Sequence, residues 1–222
     1  MSAAEYRSIC DRVYALAGIK LGDQKQDLVY SRLSKRLRTL GLEDFGPYLN
    51  LLDSPEGQGE VEFMLNALTT NLTSFFREVH HFDHMKSTAL KECLNDKNSD
   101  RSLRIWSSAC STGEEPYSIA MTVLESGLDP RRVDARILAT DINTDVLEQA
   151  SYGQYSQAIL SKCPANYRSY FQMAPDGSGE AKAAVKSLLR FKQLNLLGSW
   201  PMKRKFDIIF CRNVLIYFDN ET

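Results

Sequence analysis

The chain has 222 residues, 43% of them hydrophobic and 10% aromatic, a length that suits one medium domain plus a small one. With 27 Lys+Arg against 28 Asp+Glu it is nearly neutral, which excludes the global basic field of a general nucleic-acid binder. Its apolar runs fall short of the roughly 18 residues that a membrane span requires, and its five cysteines, Cys10, Cys93, Cys110, Cys163 and Cys211, form no C-x-x-C pair. The expectation is a cytoplasmic protein with reduced thiols and no membrane insertion.

From Tyr6 to about Thr70 the pattern is helical. Ile9, Val13 and Ala17 recur three to four residues apart, with Gly18 where a left-handed C-cap would fall. Val29, Leu33, Leu37 and Leu40 form a second apolar stripe ending at Gly41. A third helix is predicted over Asp44 to Leu52, before the loop SPEGQG, and a fourth from about Glu60 to Leu68. Between Lys25 and Arg38 lie five basic residues against the single Asp27, and Arg32, Lys35, Arg36 and Arg38 fall away from the apolar stripe. Such a run is ordinarily a solvated helix face.

After the polar stretch NDKNSDRS the period changes, and LRIWSSA, ARILATDI and FDIIFCRNVLIYF read as short strands separated by helical stretches. This alternation predicts an α/β domain with a mostly parallel sheet behind the helical one. The tract APDGSGEA reads as flexible, and because a strand so near Thr222 would leave a hydrophobic sheet edge uncovered, a truncated or shortened C-terminus is expected.

Ligands of open α/β sheets sit outside the carboxyl ends of the strands, so the residues there are the candidates for chemistry. LRIWSSA leads into CSTGEEPYSIA, where Gly113 permits a tight turn, Pro116 suits a first helical turn, and Glu114 and Glu115 stand at a helix N-terminus. The functional reading gives one carboxylate to a ligand; the alternative makes both complements of the helix dipole. ARILATDI ends in Asp141, placed either to take ribose hydroxyls or to cap the helix that follows. Asp141 stands 28 positions past Gly113 and the glycines are not G-x-G-x-x-G, so a dinucleotide fold is disfavoured. In FDIIFCRNVLIYF, Arg212 and Asn213 interrupt an apolar run, as a strand end facing a ligand or an ordinary turn would. The junction LTTNLTSFFREVHHF offers Asn71, Thr73, an aromatic pair and Arg77, a cation able to hold a carboxylate or to form a surface ion pair. His80, His81 and His84 crowd together, His80 and His84 at helical metal-pair spacing, yet no third ligand is at hand and no metal is expected.

AGIKLGDQKQDLVYSRLSKRLRTLGL, LTTNLTSFFREVHHF, IWSSACSTGEEPYSIAM, ATDIN, LNLL and FDIIFCRNVLIYF, in that order from about Tyr6 onward, resemble the CheR-type chemotaxis receptor methyltransferases. The resemblance implies a Rossmann-like S-adenosylmethionine-dependent domain behind a helical bundle, with a small inserted antiparallel β-subdomain at roughly 165–193 whose turn is Asp176 to Gly179. It divides the chain into a receptor-docking domain (1–70), a linker contributing to the cofactor site (71–79) and the methyltransferase domain (80–222). The implied activity is methylation of receptor glutamates to methyl esters for sensory adaptation, with S-adenosylhomocysteine released. The implied cofactor residues are Asn71, Thr73, Arg77, Glu115, Asp141, Asn195, Leu196, Asn213 and Val214. Arg77 and Tyr217 are the candidates for shaping the reaction space, and Arg32, Lys35, Arg36 and Arg38 for docking the acidic methylation region. The partners implied are the receptor's cytoplasmic methylation region and, for some members, a receptor C-terminal peptide; the enzyme is expected to act as a monomer without nucleic acid. The competing classes are a methyltransferase of another substrate, which leaves the basic helix without a role, and a cofactor-binding module without catalysis.

Overall fold

Helix α1 (Ala3–Ala17) starts earlier than its apolar stripe because Ser2 and Glu5 make a capping box, the Ser2 hydroxyl accepting from the Glu5 N–H at 3.2 Å and the Glu5 carboxylate from the Ser2 N–H at 2.5 Å. It stops at Gly18, whose φ of 67° is left-handed. Helices α2 (Gln26–Thr39), α3 (Phe45–Asp53) and α4 (Gln58–Leu68) follow, and the predicted stripes face one core: Ile9, Val13, Val29, Leu33, Tyr48 and Met64 are buried.

The computed structural model describes residues 1–95, 102–127 and 133–222, so most of the polar stretch NDKNSDRS lies outside the described residues. The chain forms two compact units. The helical unit takes in Met1–Thr70 together with Asn195–Ser199 and Asn213–Thr222, whereas the sequence places the latter two segments in the methyltransferase domain. They bond to α1 and to the turn after it: the Asn195 amide donates to the Leu16 carbonyl at 2.6 Å, the Tyr14 hydroxyl to Asp219 at 2.9 Å, and the Lys20 N–H to the Tyr217 carbonyl at 3.1 Å.

The other unit comprises Asn71–Leu194 and Trp200–Arg212. After the junction, α5 (His80–His84) runs through a π turn (Met85–Ala89) into α6 (Leu90–Asn95). Strand β1 (Ser102–Ser107) leads to α7 (Glu114–Glu125), and β2 (Asp134–Asp141) to α8 (Thr144–Tyr152). The short β3 (Gln154–Tyr155), β4 (Phe171–Met173) and β5 (Gly179–Ala181) form an antiparallel sheet in the order β3-β5-β4. This sheet starts before the predicted 165–193, because Gln154 and Tyr155 pair with Glu180 and Gly179. At the other end of that range, β6 (Leu189–Gln193) belongs to the main sheet with β7 (Ile208–Phe210), all parallel in the order β6-β2-β1-β7. The long run FDIIFCRNVLIYF is strand only over three residues; the chain then turns through Asn213 at φ 55° into a 3-10 turn at Leu215–Tyr217. Leu103, Ile105, Ile119, Met121 and Ile137 fill the core under α7.

The outward charges of α2 are not equivalent. Arg36 forks onto Glu60 of α4, with Nε donating at 2.9 Å, and lies 4.4 Å over the Phe63 ring. Arg32 donates to the Ala67 and Thr69 carbonyls at 3.0 and 2.8 Å, at the end of α4 where orphan carbonyls need donors. Lys35 and Arg38 remain exposed. Glu60 is 8% exposed, so Arg36→Met strands a buried carboxylate and is expected to cost about 1–3 kcal/mol in urea unfolding. Arg36→Met/Glu60→Leu should recover most of that loss; equal losses in the single and double variants would contradict the pairing.

Candidate active site

The parallel order β6-β2-β1-β7 reverses direction at β1, since the chain moves outward from β1 to β2 to β6 and then returns to the other flank as β7. The carboxyl ends of β1 and β7 therefore open the crevice where such sheets bind ligands. There the Ser108 N–H donates to the Phe210 carbonyl at 2.9 Å.

Gly113, at φ 98°, is the N-cap of α7. A Cβ on it would lie 2.7 Å from the Tyr155 hydroxyl and 3.0 Å from the Ala150 Cβ, so close approach as well as φ requires glycine here. The turn sends the two adjacent glutamates to different surroundings. Glu114 is buried and accepts from the Thr112 hydroxyl at 2.6 Å. Glu115 accepts from the Ser107 hydroxyl at 2.7 Å and from Arg212 Nη1 at 3.0 Å. Burial pushes the Glu115 carboxyl up to about 7, a penalty the Ser107 and Arg212 bonds only partly offset.

Asp141 closes β2 and is 7% exposed. Its carboxylate accepts the Ser111 N–H at 2.8 Å and the Asn143 N–H at 3.0 Å, and burial raises its pKa despite those donors. The cap of α8 is Asn143, whose side chain accepts from the Asp145 and Val146 N–H groups; Asp141, the other candidate cap, does not cap α8. Ser111, itself at φ 49°, also donates its hydroxyl to the Asn71 carbonyl at 2.9 Å, tying the junction to the β1–α7 loop.

Phe75 and Phe76 of the junction are core residues of the α/β unit: Phe75 meets Tyr155 and Phe171 edge-on, and Phe76 stacks on Tyr167 at 4.0 Å while its N–H donates to the Ser118 hydroxyl. Between Phe76 (φ 53°) and Glu78 (φ 56°), Arg77 is half-buried and donates to the Leu72 carbonyl at 2.9 Å. Asn71, Thr73, Arg77, Glu115 and Asp141 thus share the α/β unit, whereas Asn195, Leu196, Asn213, Val214 and Tyr217 belong to the helical one. Sequence reasoning assigned no role to Ser107, Ser111 or the Arg212 side chain; only the polar interruption of an apolar run marked Arg212. Among the described residues no three His, Cys, Asp or Glu side chains group as metal ligands, and no helix is long and apolar enough to cross a membrane.

The all-alpha domain model of the CheR methyltransferases matches residues 4–69, and their SAM binding domain model matches residues 71–222. The chain belongs to the CheR methyltransferase family. A probable chemotaxis protein methyltransferase of Rhizobium etli is 45% identical over 95% of this chain and 80% of its own length. The chemotaxis protein methyltransferase of Escherichia coli is 44% identical over 100% and 77%, and that of Borreliella burgdorferi 39% over 95% and 76%. In this CheR-family chain the SAM binding domain contains both Glu115 and Asp141.

A carboxyl raised by folding favours the folded state below its unfolded value, here 4.5, and that contribution is lost as pH rises through about 7. Urea unfolding of the ligand-free protein between pH 5 and 8 should therefore show a downward component that Glu115→Gln removes. Parallel curves for the two proteins would contradict the burial of an ionisable Glu115.

Proposed function

We propose that this chain, acting in the cytoplasm as a monomer, methylates glutamate side chains in the methylation region of chemotaxis receptors, giving glutamate methyl esters and S-adenosylhomocysteine. The observation that carries the reading is a pair of carboxylates largely withdrawn from water beside the carboxyl edge of a reversing parallel sheet: Glu115 in the first turn of α7, its side chain 12% exposed, and the buried Asp141 at the end of β2. Two carboxyls raised by burial suit a ligand that brings an ammonium and a diol, as S-adenosylmethionine does. Glu115 takes the ammonium, Asp141 the ribose and Arg77 the methionyl carboxylate; Asn71, Thr73, Asn195, Leu196, Asn213 and Val214 complete the set.

Bound S-adenosylmethionine supplies an electrophilic methyl group. The receptor glutamate, with a reference pKa of about 4.3, is already ionised at neutral pH and needs no general base from the protein. What the chain contributes is alignment and exclusion of water, with Arg77 and Tyr217 assigned to that space. Docking falls first to the exposed Lys35 and Arg38, with Arg32 and Arg36 holding α2 in place. The strand edges of the small sheet could accept an extended receptor C-terminal peptide by strand addition.

Incubation with a receptor cytoplasmic fragment and methyl-labelled S-adenosylmethionine should yield label released by base as methanol; label that is stable to base would sink the reading. In the same assay Lys35→Glu/Arg38→Glu should raise the receptor KM about tenfold at low salt, less at high salt, with cofactor affinity unchanged.

A further inference from the structure

Arg212, the first residue but one after β7, makes more polar contacts than a strand-exit turn requires. Its Nη1 donates to Glu115 of α7 at 3.0 Å, and its Nη2 to Glu78 at 3.1 Å and to the Arg77 carbonyl. The guanidinium lies 5.4 Å over the Phe82 ring, and the side chain is 11% exposed. One cation thus joins the carboxyl edge of the sheet, the start of α7 and the junction turn.

The turn needs such a tie. Phe76 and Glu78 both hold left-handed φ values, a conformation that costs a side-chain-bearing residue roughly 1 kcal/mol or more and persists only where the surroundings impose it. Phe76 is fixed by its ring stack and by Ser118; on the far side of Arg77, Arg212 donates to the Arg77 carbonyl and to the Glu78 carboxylate. A lysine could not take its place, because a single ammonium lacks the planar fork that spans separate acceptors.

We propose that Arg212 is a positioning residue: it ties the Arg77 turn to Glu115, setting the separation of the two side chains that receive the carboxylate and the ammonium of the cofactor's amino-acid end. This rests on the cofactor reading above. Around Glu115 stand Ser107 from β1, Glu78 from the junction and Arg212 from the β7 exit, with Cys110 and Glu114 close in the β1–α7 loop and helix start and His81 of α5 beside Arg212. Arg212 pairs with both Glu78 and Glu115, and its charge opposes the upward push that burial and Glu78 give the Glu115 carboxyl.

The test is calorimetric titration with S-adenosylhomocysteine from pH 6 to 8.5, alongside amide hydrogen exchange of residues 74–80, for the unmutated chain, Arg212→Lys and Arg212→Met. Arg212→Met should bind about tenfold more weakly at pH 7, with much of the deficit recovered at pH 8.5 as Glu115 ionises. Arg212→Lys, which keeps the charge, should restore the pH profile. Both variants should exchange faster in the junction turn while the sheet amides keep their protection, which also shows that they fold. An unshifted Arg212→Met profile beside normal binding by the unmutated chain overturns this proposal alone. No binding by the unmutated chain at any pH overturns the cofactor reading and this proposal together.

Discussion

The burial of Glu115 and Asp141 at the carboxyl edge of the parallel sheet is the constraint to which the rest of the α/β unit answers. A carboxylate out of water must be compensated, and here each is compensated only in part: Ser107 and Arg212 face Glu115, and backbone N–H groups, those of Ser111 and Asn143 among them, face Asp141. The remaining penalty appears as raised pKa values. Backbone strain gathers in the same unit, with Phe76, Glu78 and Ser111 all at positive φ. Strain and partly compensated carboxyls at one edge are what the proposed cofactor site would use, because its ligand brings cationic and hydroxyl donors.

That edge exists because of the strand order. β1 and β2 end in short loops that lead into helices, so Gly113 and Asn143 place N–H groups and carboxylates within a few residues of each other. The return of the chain to β7 then delivers Arg212 beside α7. The helical unit uses its charges differently: Arg32 and Arg36 bind α2 to α4, leaving Lys35 and Arg38 to solvent and to any acidic partner.

Much of this was legible in the sequence where periodicity speaks. The stripes Ile9-Val13-Ala17 and Val29-Leu33-Leu37 are the buried faces of α1 and α2, and LRIWSSA and ARILATDI cover β1 and β2 except for their first residues, Ser102 and Asp134. Local signals that two residues can send equally well were not decisive: Asp141 and Asn143 are both good caps, and only tertiary bonds show that Asn143 is the one used. Strand β3 is two residues long, too short for any period to register, so the small sheet began earlier than expected. The apolar run after Phe210 looked like continued strand because composition does not reveal where pairing ends. A helical projection places Arg32 and Arg36 outward, yet long side chains bend back, and their partners on α4 lie at least 24 residues away in sequence. Arg212 and Glu115 are 97 residues apart, a pairing that no local pattern encodes.

The central claim is that Glu115 and Asp141 form a cofactor cradle, and calorimetric titration of the unmutated chain and Asp141→Ala with S-adenosylhomocysteine tests it most directly. Saturable one-to-one binding that Asp141→Ala abolishes or weakens by at least about tenfold is the predicted result. Equal affinity in the two proteins would contradict the account, because the carboxylate at the end of β2 would then have no part in holding the cofactor.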